Sequence, residues 1–188
     1  MLVVLGFAVL ILAIGMVVLF AMFGELSARV AQAGTTPRST EIVPLEGTRL
    51  GRVPDTWPAG LLTGGETPST LLVLSTSCGS CQDIAEQLRD SPAEAVWDDI
   101  GVVISTAHHQ TGDEFVASHR IGRFPHHVDV GGSWVTGQFD VSFSPSALVF
   151  RDGQLAAAYI FHDVAALRAK VAEAPVPLGL PRQDRETV

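Results

Sequence analysis

The chain has 188 residues, 47% of them hydrophobic and 17% charged, and 20 acidic side chains against 12 basic ones leave a net charge of −8. That length predicts one domain with attachments, and the acidity argues against phosphate backbones and anionic lipid head groups as partners. Nucleic acid is not an expected partner.

The apolar excess is concentrated at one end, where Leu2 to Phe23 reads LVVLGFAVLILAIGMVVLFAMF without a charged residue. As a helix rising about 1.5 Å per residue the run reaches roughly 33 Å, enough to cross a bilayer. Residues 1–23 are therefore expected to form one transmembrane anchor. The alternative is a cleaved signal peptide, because Ala28 to Gly34 contains an Ala-Gln-Ala triplet; the length of the run and the absence of a basic residue ahead of it favour the anchor. Arg29 and Arg38 follow the run and no Lys or Arg precedes it, so the positive-inside rule on its own favours a cytoplasmic C-terminal domain.

Residues 24–67 have no sustained period and carry Pro37, Pro44, Pro54, Pro58 and the pair Gly64-Gly65. This is linker composition, with one short edge strand expected around Ile42, Val43 and Leu45.

The folded domain is expected over residues 68–174. Leu71 to Leu74 is a continuous apolar run, the pattern of a strand buried on both faces. From Ser80 to Arg89, Ile84, Ala85 and Leu88 fall on one helical face. Ala93 to Asp99 reads as a short helix, and Ile100 to Thr106 as a second buried strand rich in β-branched residues. Gly112 to Arg120 is expected as a helix, His126 to Val130 as a third strand, and Trp134 and Val135 as part of a helical turn. Ala147 to Phe150 and Leu155 to Phe161 are two strand runs whose Asp152-Gly153 junction marks a hairpin. Asp163 is placed to cap a last helix through Ala174, and residues 175–188 are proline-rich and polar, a tail. The order β, α, β, α, β, hairpin, helix predicts an α/β fold with a mixed sheet and helices on both faces.

Both cysteines of the chain, Cys78 and Cys81, lie between the first buried strand and its helix. A dithiol at a helix N-terminus meets unpaired N–H groups and the positive end of the helix dipole, which favour a thiolate. Cys78, at the helix start, is then the attacking thiol and Cys81, one turn in, the resolving thiol; Gly79 and Ser80 shape the turn between them. A metal clamp is the rival chemistry, since His108, His109, His119, His126 and His127 cluster in twenty residues. His108 and His109 follow a parallel strand, so they belong to the same sheet end as Cys78 and are candidates for tuning its titration. Trp57, Trp97 and Trp134 are read as packing residues.

LLVLSTSCGSC and FDVSFSPSALVFRDGQLAAAY together resemble the thioredoxin-like superfamily, in particular the membrane-anchored TlpA, ResA and MauD-like thiol-disulfide oxidoreductases of bacteria. The resemblance covers residues 68–173. It implies a thioredoxin-like mixed sheet, a cis peptide bond at Pro145 beside the dithiol, and an exposed backbone at Ser144 that pairs with an extended substrate peptide. It also implies an extracytoplasmic domain on a single-pass anchor in the bacterial cytoplasmic membrane, with protein thiols or disulfides as substrates. Electrons would pass through a membrane-bound donor or a soluble dithiol. No cofactor and no resident metal are expected. The chain departs from the pattern at Ser77, where relatives have an aromatic residue, and at Leu71 to Leu74, which hold no acid. Those departures leave open a redox-inactive accessory subunit of a membrane complex, and the histidine cluster leaves open a metal-delivery protein.

Overall fold

The computed structural model describes residue 16 and residues 40–91 and 99–173. The chain divides into two compact units, Met1–Ser39 and Thr40–Val188, and the second carries the fold described here. The expected anchor over 1–23 save Met16, the short helix at 93–99 save Asp99, Trp97 and the tail over 175–188 lie outside the described residues. Among the described residues no helix is long and apolar enough to cross a membrane.

Six strands form one mixed sheet. They are β1 (Val43–Pro44), β2 (Thr70–Ser75), β3 (Ile100–Thr106), β4 (His126–Val130), β5 (Ser146–Arg151) and β6 (Gln154–Ile160), arranged β1-β6-β5-β2-β3-β4. Strands β2, β3 and β4 run parallel, whereas β5 lies antiparallel to β2 and β6, and β1 antiparallel to β6. Among the described residues four helices accompany them: α1 (Gly79–Asp90), α2 (His109–Ser118), α3 (Ser133–Phe139) and α4 (Val164–Glu173). This is the mixed sheet with flanking helices expected from the order of the elements.

Alternation along the central strands builds two cores. Leu72 and Leu74 face Ile84 and Leu88 of α1 and Leu167 of α4, while Leu71 and Val73 face Val135 and Phe139 of α3. Every residue from Thr70 to Leu74 is buried, as its unbroken apolar run requires. Gln87 of α1 joins the first core at its edge: its amide donates to His162 O at 3.2 Å and accepts from Val164 N at 3.0 Å. Asp163 Oδ1 accepts from Ala166 N at 2.8 Å, the cap expected for the last helix. Asp152 and Gly153 turn the hairpin with φ of 51° and 75°, the left-handed pair that Asp-Gly supplies at little cost.

Two boundaries differ from the sequence reading. The segment read as linker up to residue 67 belongs to the folded unit from Thr40 onward. The edge strand expected around Val43 is present, Pro44 and Val43 pairing with Tyr159 and Ile160; beyond it Gly51 N donates to Leu155 O at 2.8 Å, and Leu61 is fully buried. An irregular segment has no period to read, yet it can bury single side chains and hydrogen-bond a sheet edge; one Leu contributes about 1.5–3 kcal/mol on burial. The expected helix at 112–120 begins earlier, at His109. Gly112 is not its start but a contact point inside it, where a Cβ would collide with the Val128 side chain.

Trp57 and Trp134 pack with centroids 5.9 Å apart, and Trp57 also meets Phe150 at 5.2 Å, in keeping with a packing role. Trp134 Nε1 donates to Thr56 O at 3.0 Å.

Candidate functional site

Strand β2 ends at Ser75, and the chain turns through Thr76 and Ser77 to reach Cys78. Cys78 N donates to Ser75 O at 3.3 Å, which closes that turn. Cys78 is the N-cap of α1, extended at φ −102° and ψ 119°, and its Sγ accepts from Cys81 N at 3.3 Å. A cap group takes up a helix N–H that has no intrahelical partner, so sequence position alone aims a backbone donor at this sulfur. Cys78 is half-buried, Cys81 is fully buried, and both are free thiols. Gly79 and Ser80 are exposed, with nothing within 4 Å of a Cβ built on Gly79.

The Ser144–Pro145 peptide bond is cis. Cys78 Sγ donates to Ser144 O at 3.5 Å, so the turn before β5 touches the exposed sulfur. Thus Cys78, Cys81 and Ser144, with Pro145, come together at one sheet end. The pairing of Ser75 with Ser105 in the parallel strands β2 and β3 puts His108 and His109 at that same end. There His109 Nδ1 lies 2.9 Å from Asp113 Oδ2, and His108 is exposed at the start of α2. The other imidazoles disperse: His119 Nδ1 lies 3.0 Å from Phe115 O, His126 Nδ1 2.9 Å from Phe124 O, and the His127 ring 6.0 Å from that of Trp134. Burial lowers the pKa of His127, against the pull of Asp129. Among the described residues no three His, Cys, Asp or Glu side chains gather where they could hold a metal ion.

Burial, reinforced by the neighbouring Cys78 sulfur, pushes the Cys81 thiol up to about 12 from 9.0. At neutral pH Cys81 is therefore protonated. Iodoacetamide at neutral pH is expected to alkylate Cys78 and spare Cys81, read by peptide mass after digestion; equal labelling of both would contradict this burial. A raised folded pKa also means that the stability held by the neutral thiol is complete below pH 9.0 and is lost as pH climbs towards about 12.

One residue that organises the start of α3 was not singled out in the sequence. Asp129, 2% exposed at the end of β4, accepts from Trp134 N through Oδ1 and from Val135 N through Oδ2, both at 3.0 Å. Gly132, the N-cap of α3, has no side chain to do this, so Asp129 caps the helix from the strand. The signal was an acid at an inward-facing strand position three residues before a Gly-Ser helix start. Asp129→Ala is expected to cost about 1–2 kcal/mol and Asp129→Asn roughly half of that, measured by urea denaturation. At the other end of α3, Arg49 grips Asp140 through two bonds of 2.6 and 3.0 Å and donates to Gly137 O at 3.0 Å.

No protein-family model matches the chain, and no curated protein matches it. Among solved structures it is similar to dsbF of MTB, described in mixed oxidized and reduced forms, with 20% identity and a TM-score of 0.46 over 62% of this chain and 98% of that one. It is similar also to StoA from Bacillus subtilis, with 13% identity and a TM-score of 0.45 over 73% of this chain and 100% of that one. A thio-disulfide isomerase from Thermus thermophilus gives 18% identity and a TM-score of 0.42 over 69% of this chain and 94% of that one.

Proposed function

We propose that this chain is a membrane-tethered thiol-disulfide oxidoreductase that exchanges disulfides with protein substrates through Cys78 and Cys81. The observation that carries the reading is the asymmetry of the pair. One sulfur is half-exposed, capped by a helix N–H and beside the Ser144 carbonyl, and the other is buried and protonated. An outer thiol that a disulfide can reach and an inner thiol that waits for the mixed disulfide are what two-step exchange requires.

In the reducing direction Cys78 Sγ attacks one sulfur of the substrate disulfide, whose other sulfur leaves as a thiolate. Cys81 then gives up its proton and attacks Cys78 Sγ, releasing the second substrate thiol and leaving Cys78 and Cys81 joined. Ser144, next to Pro145, offers backbone for an extended substrate to pair with.

The apolar run Leu2 to Phe23 supports a single-pass anchor in a bacterial cytoplasmic membrane; the extracytoplasmic side and a membrane-bound donor of electrons rest on the resemblance of the dithiol segments, against the positive-inside count at Arg29 and Arg38. A tether of this kind raises the concentration of the dithiol near membrane-bound partners without new contacts.

The test is reduction of insulin disulfides by the dithiothreitol-recycled protein, compared with protein alkylated at both sulfurs. Turnover confined to the unmodified protein is expected, and equal rates would overturn the reading. A membrane-impermeant maleimide applied to intact cells should label Cys78; labelling only after lysis would put the domain on the other side.

A further inference from the structure

Arg49, from the segment read as linker in the sequence, closes the C-terminal end of α3. Its main-chain N donates to Phe139 O at 3.1 Å and its Nη1 to Gly137 O at 3.0 Å, so one residue takes up two of the carbonyls that a helix end leaves over. Its Nε and Nη2 donate to Asp140 Oδ2 and Oδ1 at 2.6 and 3.0 Å. Asp140, left-handed at φ 58°, is where the chain leaves α3 for the turn before β5. The next residue, Val141, is buried, and its O accepts from Thr136 Oγ1 at 3.0 Å. Ser142 and Phe143 are exposed, so the stretch up to Ser144 spans between this clamp and β5. At its far side Ser144 O accepts from Cys78 Sγ.

We propose that Arg49 is a positioning residue for disulfide exchange, holding the Ser144 backbone ready for an extended substrate through Asp140 and the end of α3; the inference rests on the oxidoreductase reading. The side chains of the Arg49–Asp140 pair are 48% and 47% exposed, and an ion pair so open to water adds little to stability. What its two parallel bonds fix is direction: a guanidinium fork on a carboxylate holds Asp140 in one orientation, and with it the path on which the chain departs from α3. A turn held in place pairs with an incoming strand at once. A loose turn has to be ordered at each encounter and so binds its peptide more weakly.

The experiment follows single-turnover reduction, by the reduced full chain, of two disulfides with the same leaving group. In one the cysteine of Ala-Ala-Cys-Ala-Ala is joined to 2-nitro-5-thiobenzoate; in the other 2-mercaptoethanol is, which has no backbone to pair. Attack by Cys78 on the peptide or mercaptoethanol sulfur breaks the S–S bond and releases the coloured thiolate. Cys81 then loses its proton, closes on Cys78 and frees the second thiol. In Arg49→Met the peptide concentration at half-maximal rate is expected to rise about tenfold, roughly the net effect of one lost hydrogen bond, while the plateau rate and the reaction of the mercaptoethanol disulfide change less than about twofold. Asp140→Asn keeps the left-handed conformation but loses the paired oxygens; it is expected to shift the same concentration about threefold and to add nothing to Arg49→Met. Arg89→Met, which removes the Arg89–Asp90 ion pair at the far end of α1, is expected to match the parent. An unchanged half-maximal concentration in Arg49→Met, an equal loss with both disulfides, the same loss in Arg89→Met, or a parent chain that reacts with both disulfides without favouring the peptide overturns the proposal alone. If neither disulfide reacts with the parent chain, the oxidoreductase reading falls and this inference with it.

Discussion

Cys78→Ser is expected to lose insulin-disulfide reduction by about three orders of magnitude or more, because a hydroxyl at the helix tip cannot replace the sulfur nucleophile. Cys81→Ser should behave differently. It retains the attacking group, so it is expected to accumulate a mixed disulfide between Cys78 and the substrate, visible as a shifted band on a non-reducing gel and absent after dithiothreitol. The division follows from burial. Cys81 is fully buried among apolar neighbours and its thiol titrates near 12, so it cannot be the first to attack; Cys78 is the sulfur that meets the surface. Adducts trapped on Cys81 in the Cys78→Ser chain, at the rate seen for Cys78, would reverse the assignment.

Phe139→Ala is expected to destabilise the domain by about 3–5 kcal/mol, the largest effect of any single truncation considered for this fold. The ring is fully buried at the end of α3, with its centroid 5.6 Å from Trp134 and 5.5 Å from Phe150. Removing it opens a void that two other aromatic rings must border, and they cannot collapse into it without leaving Trp57. With urea slopes of about 1–3 kcal/mol/M, the midpoint should fall by about 1–5 M, followed by the emission of Trp134 and Trp57. Phe143→Ala is the control: at 61% exposure it should change stability by less than about 0.5 kcal/mol. Equal midpoints for the two variants would show that this aromatic cluster does not hold α3 to the sheet.

Elements with strong periodicity were legible before any coordinates. β2 and β3 are continuous apolar runs because the sheet is covered on both faces, and α1 shows its buried stripe at Ile84, Ala85 and Leu88. The hairpin was legible from Asp152-Gly153, where local chemistry dictates the turn. In residues 40–67 the edge strand around Val43 was legible, but the rest was not, because its contribution comes from isolated anchors such as Leu61 and from single backbone hydrogen bonds such as Gly51 N to Leu155 O, neither of which leaves a pattern along the chain. The start of α2 was misplaced because glycine reads as a breaker, whereas Gly112 answers to a neighbour sixteen residues away, Val128.

The site divides in the same way. Two cysteines three apart at a strand-helix junction are visible in any reading, and Ser144-Pro145 came from resemblance. Asp129 escaped because its task is set by the path of α3, which no local rule gives. A cleft beside Ser144, lined among others by Val73, Ser105, Val135 and Thr136, escaped for a stronger reason: its walls come from β2, β3, α3 and the turn before β5, and only folding brings them side by side.

The open space around Gly79 has an evolutionary reading. Because a side chain there would meet no neighbour, the link between the sulfurs can be rewritten by mutation while the interior stays as it is. Variants at Gly79 thus change the polarity beside the two sulfurs one substitution at a time, with the architecture untouched.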